Sequence, residues 1–465
     1  MEKTKTNVTV KGQSKPDLGF MKLWNISFGF FGVQIAFALQ SSNISRIFST
    51  LGADPHQLGY FWLLPPLLGM IVQPLVGFFS DKTWTRFGRR IPYLFIGSAF
   101  AVAVMCLLPN AGNLGLSGNE VFWGLTGAMA FGLFALMFLD ASINMAMQPF
   151  KMMVGDIVNE KQKAKAYSIQ SLLCNAGNFV GFLFPIVLTW LGVSNTAPDN
   201  VVPDSVKWAF YGGSIILILC VIYTTINVKE YDPEQMARFR EAELEKEKKI
   251  TGSKASTGKR AFKVFAAVAL VQFFCWAAFQ LMWVRSNDAV SILGFNVDTT
   301  IPLYAKGDAY QAAGNWLGVL YAIQAVVSIL WAMMIPRFKS LKVVYALSLT
   351  IGGVGFLLLP YCSHQYLLII PYAMSGFAWA AMLALPFTLV TNALEGNPRM
   401  GTYLGLFNCT ICLPQLVIAG TDKHIFEAVG AANNQPYMLA IAGISLLLGA
   451  LSVFLIAQRK KAVAE

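Results

Sequence analysis

The stretch VFWGLTGAMAFGLFALMFLDASINMAMQ, Val121 to Gln148, decides the fold: it is one long apolar run interrupted deep inside by a single acid, Asp140. A bilayer core of about 30 Å asks for about 20 apolar residues of helix, and this run exceeds that length. A charge at bilayer depth costs about 2.5 to 3.5 kcal/mol on insertion scales, so an acid is seldom kept there without a partner or a task. The other acids of the chain read as lying in polar intervals or at the ends of apolar runs.

Outward from that stretch the same pattern repeats. With 56% hydrophobic and only 13% charged residues, the chain is too apolar for a soluble globular domain. Runs of spanning length are predicted at Phe20 to Leu39, Leu58 to Phe79, Ile91 to Leu108, Val121 to Gln148, Ala166 to Leu191 and Trp208 to Ile226. Six more follow at Phe262 to Val284, Ala312 to Ile335, Val343 to Tyr361, Leu367 to Val390, Thr402 to Ala419 and Met438 to Ala457. Proline and glycine within them, as at Pro65, Pro66 and Pro386, suit membrane helices better than strands. The expected class is therefore an all-α membrane protein of twelve transmembrane helices.

Lysine and arginine fix the orientation, because they stay on the cytoplasmic side in short loops. Of 35 such residues, only Arg46, Lys207, Arg285, Lys306 and Lys423 fall in the intervals assigned to the outer side, which puts both termini in the cytoplasm. The net charge of +11 is thereby explained by topology and calls for no nucleic-acid partner. The expected division is a tail over 1–19, a six-helix bundle over 20–226, a charged linker over 227–261, a second six-helix bundle over 262–457 and a tail over 458–465. The linker carries REAELEKEKK from Arg240 to Lys249, which reads as a solvated helix. The polar first 19 residues resemble no cleavable signal peptide. Short loops favour a bacterial inner membrane, and nothing in the spacing asks for an oligomer.

Asp140, Asn144, Gln148 and Lys151 follow at steps of four, four and three, so at about 100° per residue they share an arc of roughly 80°. Such a stripe faces a bundle interior or a watery cavity. Lys151 lies about 16 Å from Asp140 along the axis, too far to neutralise it directly. Either the acid ties two helices together through a buried hydrogen bond, or it loads and releases a proton as it is exposed to alternate sides. The histidines His56, His364 and His424 all read as outer-loop residues, which leaves no membrane histidine relay. The seven cysteines show no metal-ligand spacing beyond Cys409 and Cys412, and neither a metal nor a cofactor is expected.

After the second run comes Gly77, then Ser80-Asp81 and Arg86-Phe87-Gly88-Arg89-Arg90, a basic loop in which Asp81 can pair with arginine and Gly88 can turn tightly. Together with Val72-Gln73-Pro74-Leu75-Val76 and Pro92, this loop resembles that of the plant sucrose/proton symporters and related animal and bacterial sugar transporters of the major facilitator superfamily. Further along, Leu139-Asp140, Asn144, Pro149-Phe150-Lys151 and Asp156 are similar to that family's fourth span. Gly177-Asn178 with Gly181, and Gly405-Leu406 with Asn408 and Pro414-Gln415, are similar to its fifth and eleventh. Lys151 stands where the family has arginine, and Ile91 stands in place of a third arginine of the loop.

The resemblance implies a two-bundle transporter in which Asp140 couples a proton to the binding of a disaccharide or other glucoside, such as sucrose or maltose. It implies a cytoplasmic gate at Asp81, Arg86, Gly88, Arg89, Arg90, Lys151 and Asp156. Helical spacing adds Gln272, Trp276, Gln280 and Trp283 on the seventh run, where amides alternate with aromatic faces suited to a sugar. Gln34, Asn175, Asn178, Asn315, Gln324, Asn408 and Gln415 complete the candidate sugar-binding set with Asp140, Asn144 and Gln148. Three other readings stay open. A sodium-coupled glycoside symporter would want more cavity acids, a sugar sensor would not transport, and a membrane enzyme would need a nucleophile and base within the spans. No Gly-rich phosphate loop points to ATP hydrolysis.

Overall fold

The computed structural model describes residues 15–114, 120–122, 125–198, 200–239, 241, 258–301, 305, 307–394, 400–430 and 432–456. Its long helices are α1 Phe20–Thr50, α2 Leu64–Lys82, α3 Ile91–Leu107, α4 Gly127–Ile157, α5 Glu160–Trp190 and α6 Asp204–Asn227. They continue as α7 Gly258–Phe295, α8 Asp308–Met334, α9 Leu341–Leu358, α10 Ile369–Leu394, α11 Met400–Val429 and α12 Gln435–Ser452. Among the described residues, eleven helices are long and apolar enough to cross a membrane, so the chain is a multi-pass membrane protein. α11 is of similar length and carries Asp422, Lys423 and Glu427 in its final turns.

Local chemistry sets several boundaries. Thr126 Oγ1 accepts from the Met129 N–H to start α4, and Asn159 Oδ1 accepts from the Gln162 N–H to start α5. α4 therefore begins at Gly127, six residues later than the apolar run, while Glu120–Phe122 and Leu125–Thr126 pair as a small antiparallel hairpin. Pro74, Pro149, Pro185, Pro386 and Pro414 all sit inside helices, as membrane spans permit. Phe134 and Phe138 of α4 are exposed, on the side of the helix away from buried Asp140, and form lipid-facing surface.

Two hydrophobic cores organise the chain. One runs from Leu23 to Val228 and gathers the first six long helices, with Val284 and Ala419 joining it from the second half. The other runs from Val264 to Ile456. Between them the segment after α6 forms a short helix over 233–239, and most of the acidic and basic run Arg240 to Lys249 lies outside the described residues.

The helices outrun their apolar cores, and that corrects two expectations. α1 continues eleven residues past Leu39, and α7 eleven past Val284, so Arg46 and Arg285 are not loop residues. Both guanidinium groups are wholly buried. Nor is Asp140 alone, because Asp288 on α7 and Asp422 on α11 are buried completely as well. Of the three remaining basic residues assigned to outer loops, Lys207 lies in the first turn of α6 beside Asp204, Lys423 lies on α11 with His424, and Lys306 lies outside the described residues.

Candidate functional site

Asp140 is 3% exposed, in the middle of α4. Its Oδ1 accepts a hydrogen bond from Gln40 Nε2 of α1, while its Oδ2 is buried without a partner. No cation pairs with it among the described residues. Gln40 stands one residue beyond the end of the first apolar run, which is why hydropathy passed over it.

Below Asp140 a ladder of amides leads along the helix. Asn144 Nδ2 donates to the Asp140 backbone carbonyl (2.9 Å), Gln73 Nε2 of α2 donates to Asn144 Oδ1 (2.7 Å), and Lys151 Nζ reaches Gln73 Oε1 (3.3 Å). The stripe read from the sequence is thus in place, with Gln73 as its cross-helix rung. Gln148 is half-buried beside Gly77 of α2. Lys151 stands apart from the basic loop, an exposed residue bonded to Gln73 on this ladder.

A small cavity lies where the two cores meet. Asn175, Asn178, Trp283 and Gln324 line it with Phe37, Ser41, Phe182, Tyr321 and Trp379. Trp283 and Trp379 of this lining pack with Trp276 and Phe279, tilted or edge to face, with ring centroids 4.9 to 6.5 Å apart. Asn178 Oδ1 of this lining is buried without a partner, as are Gln272 Oε1, Trp276 Nε1 and Gln280 Oε1 elsewhere along α7. Unmet buried groups of this kind cost about 1 to 3 kcal/mol each, which a ligand's hydroxyls would recover. Gln34 is buried against Gly177, Asn408 is half-buried on α11, and Gln415 donates to its own helix at Ile411 O.

Asn315 is used differently from its neighbours. With Gln311 it accepts from Arg46, whose Nε, Nη1 and Nη2 reach Gln311 Oε1 (2.7 Å), Asn315 Oδ1 (2.9 Å) and Asn195 Oδ1 (2.8 Å). Asn315 also donates to Thr189 of α5, and Gln311 to Thr50 of α1. Nearby, Ser45 donates to Val284 O, Gln280 to Trp62 O, and Arg285 to Pro55 O while it pairs with Asp422. Every hydrogen bond between described residues of the two cores lies in this one cluster, at the end of the molecule opposite the basic loop. The bundles are closed at that end.

The basic loop closes on its own half. Arg90 Nε bonds Asp156 Oδ2 (2.9 Å) and Arg90 Nη2 bonds Asp81 Oδ1 (2.5 Å), while Arg89 pairs with Asp156 (2.8 Å) and stands 3.6 Å from Asp81. Gly88 turns at φ +110°, and a Cβ there would meet Glu230 Oε1 at 2.5 Å. Arg86 is exposed, its guanidinium over Phe87. Glu230, absent from the sequence reading, accepts the backbone N–H groups of Arg89, Arg90 and Ile91 at 2.8 to 3.1 Å. It thereby caps α3 from the far side of α6. Burial, and the nearby Asp156 carboxylate, hold Glu230 above the usual carboxylate range against the pull of these three donors.

Comparison with known proteins brings in the chain's relatives. The model of the Major Facilitator Superfamily matches residues 26–419. Sucrose transport protein SUT1 of Oryza sativa subsp. japonica is 24% identical over 468 residues, which span 92% of this chain and 86% of that protein. Proton-associated sugar transporter A of Homo sapiens is 23% identical over 219 residues, 47% of this chain and 29% of that protein. Among solved structures, the partially occluded inward open conformation of the xylose transporter XylE from E. coli aligns with a TM-score of 0.66 at 16% identity, over 95% of this chain and 99% of that one.

Proposed function

The chain belongs to the Major Facilitator Superfamily, and we propose that within it this protein is a proton-coupled symporter of a disaccharide or other glucoside. It is a membrane transporter and not an enzyme. In this reading the twelve long helices all span the membrane as two six-helix bundles, over 20–226 and 262–457. The linker over 227–261 and both termini are cytoplasmic. The protein works as a monomer, and the compact loops favour a bacterial inner membrane even though the rice relative is matched over nearly its full length.

The observation that carries the proposal is Asp140: a buried carboxyl, held by one amide, with its second oxygen unpartnered. A lone desolvated carboxyl is cheapest with a proton on it, and rocking the bundles about the cavity would expose it to each side in turn. The names of the relatives support a sugar as the cargo. The aromatic walls around Trp283 and Trp379 suit the C–H faces of a pyranose, and the unmet Asn178 Oδ1 suits one of its hydroxyls.

Uptake into vesicles with an imposed pH gradient tests this, comparing wild type with Asp140→Asn across sucrose, maltose and monosaccharides. Gradient-driven accumulation is expected in wild type and lost in the variant, with insertion intact. Accumulation by the variant equal to wild type, or driving by sodium alone, would overturn the mechanism.

A further inference from the structure

Gln40 is 2% exposed, and its amide faces a carboxyl with which it shares one bond only. Two atoms are left over, Gln40 Oε1 and Asp140 Oδ2, both buried and unpartnered. They are chemically complementary once Asp140 is protonated, since an acid O–H on Oδ2 is the donor that Oε1 lacks. When Asp140 is ionised, both leftovers are acceptors and neither can be met by the other.

We propose that Gln40 is a positioning residue that reads the protonation state of Asp140 and passes it along α1 to the outer closure. With the proton on, acid and amide are joined by two hydrogen bonds, N–H to Oδ1 and Oδ2–H to Oε1, and α1 is held to α4. With the proton off, one of these bonds is lost and two acceptor oxygens oppose each other. The single chemical event is an O–H bond made at Oδ2 with a proton from water on one side and broken to water on the other. The inference rests on the reading of Asp140 as the proton carrier.

The connection to the closure is short. Arg46 lies six residues beyond Gln40 on α1, about 9 Å along the axis, with Ser45 before it and Thr50 one turn further. These three side chains bond to α7 and α8 across the gap between the cores. Holding α1 against α4 therefore fixes the position of the residues that seal the outer end. On α4 and the helices packed against it, the groups that titrate or carry charge include Arg46 on α1, Asp81 and Lys82 on α2, Cys106 on α3, Lys151 on α4 itself and Cys174 on α5. Arg46 is committed to the outer closure, and Asp81 to the basic loop; none of the six is hydrogen-bonded to Asp140.

Spin labels at Thr196 and Ala309, on the outer ends of the two halves, would read the closure by pulsed distance measurement in liposomes across a range of pH. In wild type the short-distance population is expected to grow as pH falls. Asp140→Asn should hold the short distance at every pH, because its amide can pair with that of Gln40. Gln40→Leu should lose the pH response, and its pH-driven sucrose accumulation should fall by about five- to tenfold, the worth of one buried hydrogen bond. Exchanging one methylene between the partners, Gln40→Asn with Asp140→Glu, should restore the response that Gln40→Asn alone loses. It carries the test if Gln40→Leu fails to insert. A wild-type pH response in Gln40→Leu, or no restoration in the exchanged pair, would overturn the role of Gln40 while leaving the accumulation test of Asp140 standing. Normal accumulation in Asp140→Asn would overturn both.

Discussion

Arg285 and Asp422 are joined by a two-pronged ion pair, and neither is exposed at all. Arg285 also bonds Pro55 O and lies 4.2 Å over the ring of Phe426. Removing one member of such a pair leaves the other charge buried without compensation, at about 3 to 5 kcal/mol, whereas replacing both with apolar side chains of similar volume is often close to neutral. Thermal unfolding in detergent should therefore show a large loss for Asp422→Leu alone and a much smaller one for Arg285→Met with Asp422→Leu. A double variant as unstable as the single would mean that the bond to Pro55, rather than the pair, matters most. This pair was not legible in the sequence, since hydropathy ends a run where charge begins and so places charged helix extensions outside. Asp140 was legible for the opposite reason, as its charge falls within a run too long to cut. Gln40 and Gln73 were not, because an uncharged amide, at the edge of an apolar run or within one, gives no sign of which helix it will face.

Helix ends and crossings carry the next level. The basic loop showed its own partners in its spacing, since Asp81 and Arg90 lie close enough in the chain to meet, but Glu230 comes from the end of α6 and only packing brings it to α3. Glu230→Ala should leave three N–H groups unmet at the start of α3, at about 1 to 2 kcal/mol. Its elevated pKa gives a sign to the pH dependence. A carboxyl that holds its proton more tightly in the folded state gives stability that is complete below the unfolded value and is lost as pH rises through the folded one. Relative to wild type, Glu230→Gln should thus become more stable as pH is raised from about 4 to about 7, measured as the difference in unfolding midpoints. An unchanged difference would assign the shift elsewhere. At the crossing of α5 and α8, a Cβ on Gly318 would stand 2.2 Å from Phe182 O, a backbone atom that cannot move aside. Gly318→Val should keep the halves apart at the outer end and increase labelling of Ala309→Cys by a membrane-impermeant reagent. Labelling at the wild-type level would show that the helices can part elsewhere.

The arrangement of contacts in the whole molecule describes one state of a cycle. Among the described residues, the hydrogen bonds between the cores sit at the end away from the basic loop, and that loop bonds within the first half. The broad fold was legible because each spanning run declares itself by length. The closure was not, because its residues lie far apart in sequence and have no periodicity in common. Arg46 is the centre of that closure, a buried cation held by three side-chain amides. Charge-assisted bonds of this kind contribute about 1.5 to 3 kcal/mol each before the cost of burying the charge. Arg46→Ala would remove three of them and leave Gln311 Oε1 and Asn315 Oδ1 without a donor, while Asn195 Oδ1 keeps that of Ser205, weakening the closed end but not the helices themselves. The population should then move toward the outward-open state, seen as a longer Thr196 to Ala309 distance and as slower release of bound sugar to the cytoplasmic side. Arg46→Lys should lie between the two, since an ammonium can reach one or two of these amides but cannot match the planar fork that meets all three. A distance distribution unchanged by Arg46→Ala would place the closing force in the Arg285 and Gly318 contacts instead.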